Sequence, residues 1–318
     1  MIKNKQILLT GGSGFIGTAI ASRLVDHNKI IVYDNNFRNS LKDSMIAKHD
    51  NLKVIKGDVL DFNAVKKAAQ DCKIIIHLAA IAGVDTVLKM PVMTMKVNII
   101  GTYNILEAAI SETKVERFVD FSTSEVFGTY AYKVKEGDVT TLGAVGEARW
   151  TYAVSKLATE HMAHNYYKQY GIPVTSIRPF NIYGPGQVGE GAIHTFILRA
   201  LENKNLEIHG DGSQIRTWCY IDDIVDSILL CLENKEAIGH VFNIGNPRSV
   251  CTTYDLARKV VTLSKSRSKL SFIPWNFTDV ELRIPNIDKS KEILGYKPKV
   301  ELEAGLLRTI DWYKKRIR

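Results

Sequence analysis

Short runs of β-branched and other apolar residues alternate with longer amphipathic stretches through the first half of the chain. This is the pattern of a parallel sheet whose strands are joined by covering helices. Gln6-Ile7-Leu8-Leu9, Ile30-Ile31-Val32-Tyr33, Leu52-Lys53-Val54-Ile55 and Lys73-Ile74-Ile75-Ile76 read as the first four strands. Arg117-Phe118-Val119-Asp120-Phe121 and Pro173-Val174-Thr175-Ser176-Ile177 continue the sheet, with helices expected near 14–27, 92–111 and 151–170. Pro179, Gly184, Pro185, Gly186, Gly189 and Gly191 then break the alternation and mark a change of domain. The expected fold class is α/β: a doubly wound parallel sheet over 1–180, with a return segment near 217–245. A smaller C-terminal α/β domain takes 181–216 and 246–318.

Composition changes this picture little. Of 318 residues, 45% are hydrophobic and 24% charged, so the whole length is expected to fold. The formal charge of +8 suits an anionic partner, but Lys and Arg are spread along the chain. Without zinc-finger spacing or an aromatic RNP-type motif, a phosphorylated small molecule is a better expectation than nucleic acid. Cys72, Cys219, Cys231 and Cys251 form no Cys-x-x-Cys pair, which argues against a disulfide framework and against a metal site. The longest mostly apolar stretch, Ile74 to Val84, is interrupted by His77 and too short to cross a bilayer. No signal-peptide layout opens the chain, so a cytoplasmic protein is expected.

The first strand runs into Gly11-Gly12-Ser13-Gly14-Phe15-Ile16-Gly17 and then an amphipathic helix. Glycines there permit a tight turn and let backbone N–H groups approach a pyrophosphate at the helix N-terminus, where the dipole favours negative charge. Asp34 ends the second strand, where a carboxylate accepts from the ribose hydroxyls of NAD and repels a 2′-phosphate. Arg38 works against that preference, since a guanidinium near this turn can hold such a phosphate. Gly57-Asp58-Val59 follows the third strand, placing Asp58 where it can meet the adenine amino group.

Tyr152-Ala153-Val154-Ser155-Lys156 sets a tyrosine and a lysine four apart on one helix face. A nearby ammonium and a cationic nicotinamide both favour phenolate, so the tyrosine can take a hydroxyl proton while the same carbon is oxidised. Ser122-Thr123 ends a preceding strand.

Together these residues resemble the extended short-chain dehydrogenase/reductase family, in its nucleotide-sugar epimerase, dehydratase and decarboxylase branch. Further matches are His77-Leu78-Ala79-Ala80, Val97-Asn98-Ile99-Ile100-Gly101-Thr102, Ser122 to Gly128, Arg178-Pro179-Phe180-Asn181-Ile182-Tyr183-Gly184-Pro185 and Gly210 to Arg216. Phe127 stands where the family usually has tyrosine. The resemblance implies a Rossmann-type sheet and a retained NAD that oxidises the sugar at C4. It implies cofactor contacts from Gly11, Gly14, Phe15, Ile16, Gly17, Asp34, Asn35, Arg38, Asp58, Val59, Leu78, Ala79, Ala80 and Asn98, beside Tyr152 and Lys156. Tyr152 would be the base, Lys156 its electrostatic partner and Thr123 a donor to the C4 oxygen. Asn181 would contact the sugar or phosphate, and Arg216 and Arg283 the diphosphate. It also implies a homodimer through helices near 92–111 and 151–170.

Glu125 discriminates among net reactions, because simple 4-epimerases of this branch carry a small or hydroxyl side chain there. A 4,6-dehydratase usually places Asp before it, where this chain has Ser124. A decarboxylase has less need of that acid, and Arg149-Trp150-Thr151-Tyr152 and Asp279-Val280-Glu281-Leu282-Arg283-Ile284-Pro285 resemble UDP-glucuronate decarboxylases. Decarboxylation of a UDP-hexuronate leads, with 4,6-dehydration and 4-epimerisation beside it. Arg283 would then meet the sugar carboxylate or the diphosphate. A non-enzymatic NAD sensor of this fold would not need Tyr152, Lys156 and Glu125 together.

Overall fold

A computed structural model describes residues 2–111, 115–275 and 278–317. Strands β1 (Gln6–Thr10), β2 (Lys29–Asp34), β3 (Leu52–Lys56), β4 (Ile74–His77) and β5 (Arg117–Phe121) join Val174–Pro179 and Val241–Ile244 in a seven-stranded sheet. Every pairing in it is parallel, in the order 241–244, 174–179, β5, β4, β1, β2, β3. The expected strands are all present, shifted by a residue or two at their ends.

Burial on both faces explains the near-continuous apolar runs of the central strands. Successive side chains alternate between faces, so Ile7, Leu9, Ile74 and Ile76 enter one core while Leu8 and Ile75 enter the other. Helices α1 (Phe15–Leu24), α2 (Phe62–Ala69), α3 (Val84–Lys89), α4 (Pro91–Ser111) and α5 (Thr151–Tyr170) follow in the first half. α1 is shorter than its apolar pattern suggests, because Asn28 Nδ2 donates to Leu24 O at 2.9 Å and closes the last turn. α5 ends where Gly171 adopts φ 71°.

The strand order reverses at β1, whose neighbours are β2 and β4, and this opens a crevice beyond their C-terminal ends. A second sheet has the order Val250–Thr252, Ile215–Thr217, Leu282–Pro285, Tyr130–Val134. Tyr130–Val134 comes from the first half of the chain, and its half-exposed alternation gives a weaker sequence signal than the buried strands do. Its pairing sets Arg283 opposite Ala131, while Arg216 pairs with Arg283. Two-stranded pairs complete the architecture. Among the described residues no helix is long and apolar enough to cross a membrane, and no cluster of His, Cys, Asp or Glu could hold a metal.

Candidate active site

A cleft of about 350 Å³ lies at the crevice, lined by Gly11, Gly14, Asp34, Asn35, Arg38, Asp58, Val59 and Leu78 to Ala82, among others. Two glycines of the turn beneath it leave no room for a side chain. Gly11 has φ +70°, and a Cβ there would come within 2.6 Å of Ala79 N; one on Gly17 would stand 2.5 Å from Gly12 Cα. Asp34 is tied to the turn, accepting from Ser13 N at 3.0 Å and Asn36 N at 2.7 Å. Burial raises its pKa, with the two N–H groups opposing. Ser13 Oγ is fully buried and finds no hydrogen-bond partner among the described residues.

A second set of groups gathers where β5 meets α5. Thr123 Oγ1 accepts from Glu125 N at 3.2 Å, capping the short 3-10 turn Ser124–Phe127, and it hydrogen-bonds Tyr152. Glu125 is clamped: Arg149 Nη1 donates to Oε2 at 2.7 Å and Arg149 Nη2 to Oε1 at 3.3 Å, while Arg283 Nη1 stands 3.7 Å from Oε1. Asp279 holds Arg149 at 3.4 Å and Arg216 at 3.7 Å. Burial alone would raise the Glu125 pKa, but Arg149 and then Arg283 outweigh it and the carboxyl is held below its usual range. Arg283, almost fully buried, is brought down to about 10 by burial against the pull of Glu125.

Beneath the tyrosine lies a buried ionic layer. Lys156 is pushed down by burial and supported by Asp120 and Glu160, and Glu160 forks onto Arg178 at 2.6 and 2.9 Å. Tyr152 is pushed up, by burial first and by Glu125 second. The protein alone therefore does not depress its pKa as expected, because burial outweighs the Thr123 hydrogen bond and the Glu125 and Asp120 charges add to it.

The sequence from Ile7 to Gly245 matches the family model for the NAD-dependent epimerase/dehydratase family. The chain belongs to that family. It is 33% identical to a UDP-N-acetyl-alpha-D-glucosaminuronate decarboxylase of Bacillus cytotoxicus, over 98% of each chain. It is 31% identical to a dTDP-D-glucose 4,6-dehydratase of Dictyostelium discoideum, over 98% of this chain and 82% of the relative. A solved UDP-glucuronic acid 4-epimerase from Bacillus cereus, in complex with UDP-glucuronic acid and NAD, superposes with a TM-score of 0.89 at 31% identity, over 98% and 99% of the two chains. This epimerase/dehydratase family member is an NAD-dependent enzyme of nucleotide-sugar chemistry, as its sequence suggests.

The cleft fits that cofactor: it combines a glycine cradle, an orphaned serine hydroxyl beside the turn and a carboxylate at the end of β2. Two expected cofactor residues have protein partners at the cleft. Asn98 is fully buried; its Oδ1 accepts from Ile81 N at 2.8 Å and its Nδ2 donates to Ser155 Oγ at 2.9 Å, so it joins the cleft wall to the catalytic helix. Arg38 lines the cleft but is paired with Glu190 at 3.1 Å. Asn181 turns the chain at φ 36° and donates to Thr217 O at 2.8 Å. His77 is a satisfied core residue between Thr10 Oγ1 at 2.6 Å and Thr102 Oγ1 at 3.0 Å. Thr102 donates to Asn98 O at 2.7 Å, so His77 Nε2 carries the proton toward it. Sequence reasoning gave no role to Arg149, Asp279, Asp120 or Glu160. Glu160 lies four residues after Lys156, Asp120 interrupts an apolar strand, and Arg149 and Asp279 open the two segments that resemble decarboxylases.

Proposed function

We propose that this enzyme decarboxylates a UDP-hexuronate through a 4-keto intermediate. The observation that carries the reading is the clamp on Glu125. Among the described residues the cluster holds three guanidinium groups, of Arg149, Arg216 and Arg283, against two carboxylates, Glu125 and Asp279. That balance leaves a positive charge for an anionic substrate, and it keeps Glu125 ionised. An ionised, doubly held glutamate is poorly placed to donate the proton that loss of a C6 hydroxyl needs, and Ser124 is no acid.

NAD, when bound, supplies the two-electron oxidant for C4. Tyr152 takes the C4 hydroxyl proton, and Thr123 hydrogen-bonds the same oxygen. Lys156 holds positive charge behind the phenolate. The resulting ketone is β to the C6 carboxylate, so carbon dioxide leaves and the electron pair passes into an enolate whose oxygen Tyr152 and Thr123 stabilise. C5 then takes a proton from solvent, leaving a UDP-linked 4-keto sugar one carbon shorter as the immediate product. Asp34 and Asp58 would hold the adenosine end of NAD; Asn181, Arg216 and Arg283 would meet the sugar diphosphate or the carboxylate. α4 and α5 pack together and expose Val92, Met93, Ile100, Tyr103 and Val154, which supports a homodimer through these helices. Light scattering tests that.

Mass spectrometry of UDP-glucuronate and UDP-N-acetylglucosaminuronate after incubation with the enzyme and NAD tests the reaction. Loss of carbon dioxide supports it. Unchanged mass with an inverted C4 means 4-epimerisation, and loss of water from a neutral nucleotide sugar means 4,6-dehydration.

A further inference from the structure

Glu190 belongs to the loop that leads out of the large sheet toward the second domain, far in sequence from the cofactor motifs. Its carboxylate is nonetheless the hub of the cleft's outer rim. Oε2 accepts from Asp85 N at 2.8 Å, and Oε1 accepts from Thr86 N at 3.1 Å and from the Thr86 hydroxyl. Arg38 Nη2 donates to the same Oε1 at 3.1 Å and stands 3.2 Å from Thr86 Oγ1. Arg38 and Thr86 both line the cofactor cleft, one from the turn after β2 and the other from the start of α3. One side chain therefore ties two opposing walls together.

The surrounding backbone is shaped for this contact. Gly83 has φ +100°, and a Cβ there would lie 2.6 Å from the Glu190 carboxylate; Gly189 has φ +83°, and its Cβ would lie 2.7 Å from Arg38 Nε. Both glycines are needed where they stand. A second tie reinforces the first: Ser40 Oγ donates to Gly186 O at 2.8 Å. The loop is anchored in turn by Tyr313 Oη, which donates to Gln187 O at 2.5 Å.

We propose that Glu190 is a positioning residue that latches the 186–190 loop across the adenosine end of the cleft and sets how long NAD stays bound. The inference rests on the NAD assignment of the cleft, and not on which sugar reaction follows. The latch holds Arg38 against Glu190 and keeps the α3 turn from swinging away. Cofactor can leave only when bonds to a charged carboxylate break together. Such bonds are stronger than neutral ones, so their loss should speed release by roughly tenfold or more.

The test is a chase. Protein loaded with NAD is mixed with excess isotopically labelled NAD, and exchange is followed by mass spectrometry of the bound nucleotide. Glu190→Gln should exchange roughly tenfold faster than the natural enzyme and purify with less NAD; Ser40→Ala should exchange a few-fold faster. Melting of the cofactor-free proteins separates a latch from a merely structural role, which would lower the Tm without changing the exchange rate. Exchange by Glu190→Gln within twofold of the natural rate overturns the proposal. If Glu190→Gln does not fold, an unchanged rate in Ser40→Ala overturns it. Failure of the natural enzyme to bind NAD at all removes the cofactor assignment, and the latch with it.

Discussion

Arg149 Nη1 lies 2.7 Å from Glu125 Oε2 across 24 residues of sequence, and the same carboxylate faces Arg283. The two arginines fix the orientation of the glutamate and favour its charged form, so in the proposed reaction it would act as an anion after the sugar has been oxidised. We expect Glu125→Gln to lower turnover on the order of 10²- to 10³-fold, the range of one acid–base or charge-stabilising group. Reduced cofactor should still form when substrate is added. A stopped-flow absorbance trace checks this; a variant that cannot oxidise the sugar at all would place Glu125 earlier in the reaction.

Tyr152 is pushed up by burial and then by the Glu125 charge. As the proposed base Tyr152 works only when ionised, so turnover should rise with pH through its pKa. Removing the neighbouring negative charge lowers that pKa, and the acidic limb of the kcat profile should move to lower pH in Glu125→Gln. Tyr152→Phe should lose about 10²- to 10⁴-fold in kcat at every pH while retaining NAD. An unmoved limb would mean that another group controls it.

Asp120 is fully buried, with Oδ2 accepting from Ser176 Oγ at 3.0 Å and Oδ1 without a partner among the described residues. Burial raises its pKa to about 6, opposed by Lys156 and assisted by Glu160. A carboxyl raised above its unfolded value stabilises the fold fully below about pH 4 and loses that contribution as pH rises through about 6. Asp120→Asn has no such dependence. Relative to the variant, the natural protein should lose on the order of 1 kcal/mol of stability between pH 5 and pH 8. Urea unfolding of both at each pH measures this, and parallel stabilities would refute it.

Much of the fold is legible because its strands are buried on both faces and their apolar runs are uninterrupted, as at Ile74–Ile76. The glycine turn and Tyr152 to Lys156 are local motifs, readable from spacing alone. What the sequence hides is the partner of each charge. Glu125 is visible as an unusual residue, yet its pairing with Arg283 depends on Tyr130–Val134 joining the second sheet beside Leu282–Pro285. Glu190 is hidden more deeply, because its bonds to Asp85 and Thr86 bridge segments that only the folded chain brings together. Asp34 needed no such contact to be recognised, since it closes a strand next to the glycine turn.

Gly17 packs its bare Cα against the backbone of Gly12. A methyl group there meets atoms that cannot swing aside, so Gly17→Ala should cost about 1–3 kcal/mol, the usual range for overpacking. The shift falls on the turn beneath the cofactor, and NAD affinity should drop with stability. Thermal unfolding with and without NAD separates the two: in the variant the cofactor-induced rise in Tm should shrink.

Arg178 and Glu160 form a forked pair, both almost fully buried, that sits under Lys156 and Phe127. Removing one partner leaves an uncompensated buried charge, whereas removing both leaves an apolar contact. Arg178→Met should therefore destabilise by roughly 3–5 kcal/mol, and adding Glu160→Leu should restore most of that loss. Activity should not follow stability. Glu160 also raises the pKa of Lys156, so the double variant loses a carboxylate that supports the ammonium behind Tyr152. We expect a refolded, stable double variant with reduced kcat and a shifted acidic limb; recovery of full activity along with stability would show that the pair serves the fold alone.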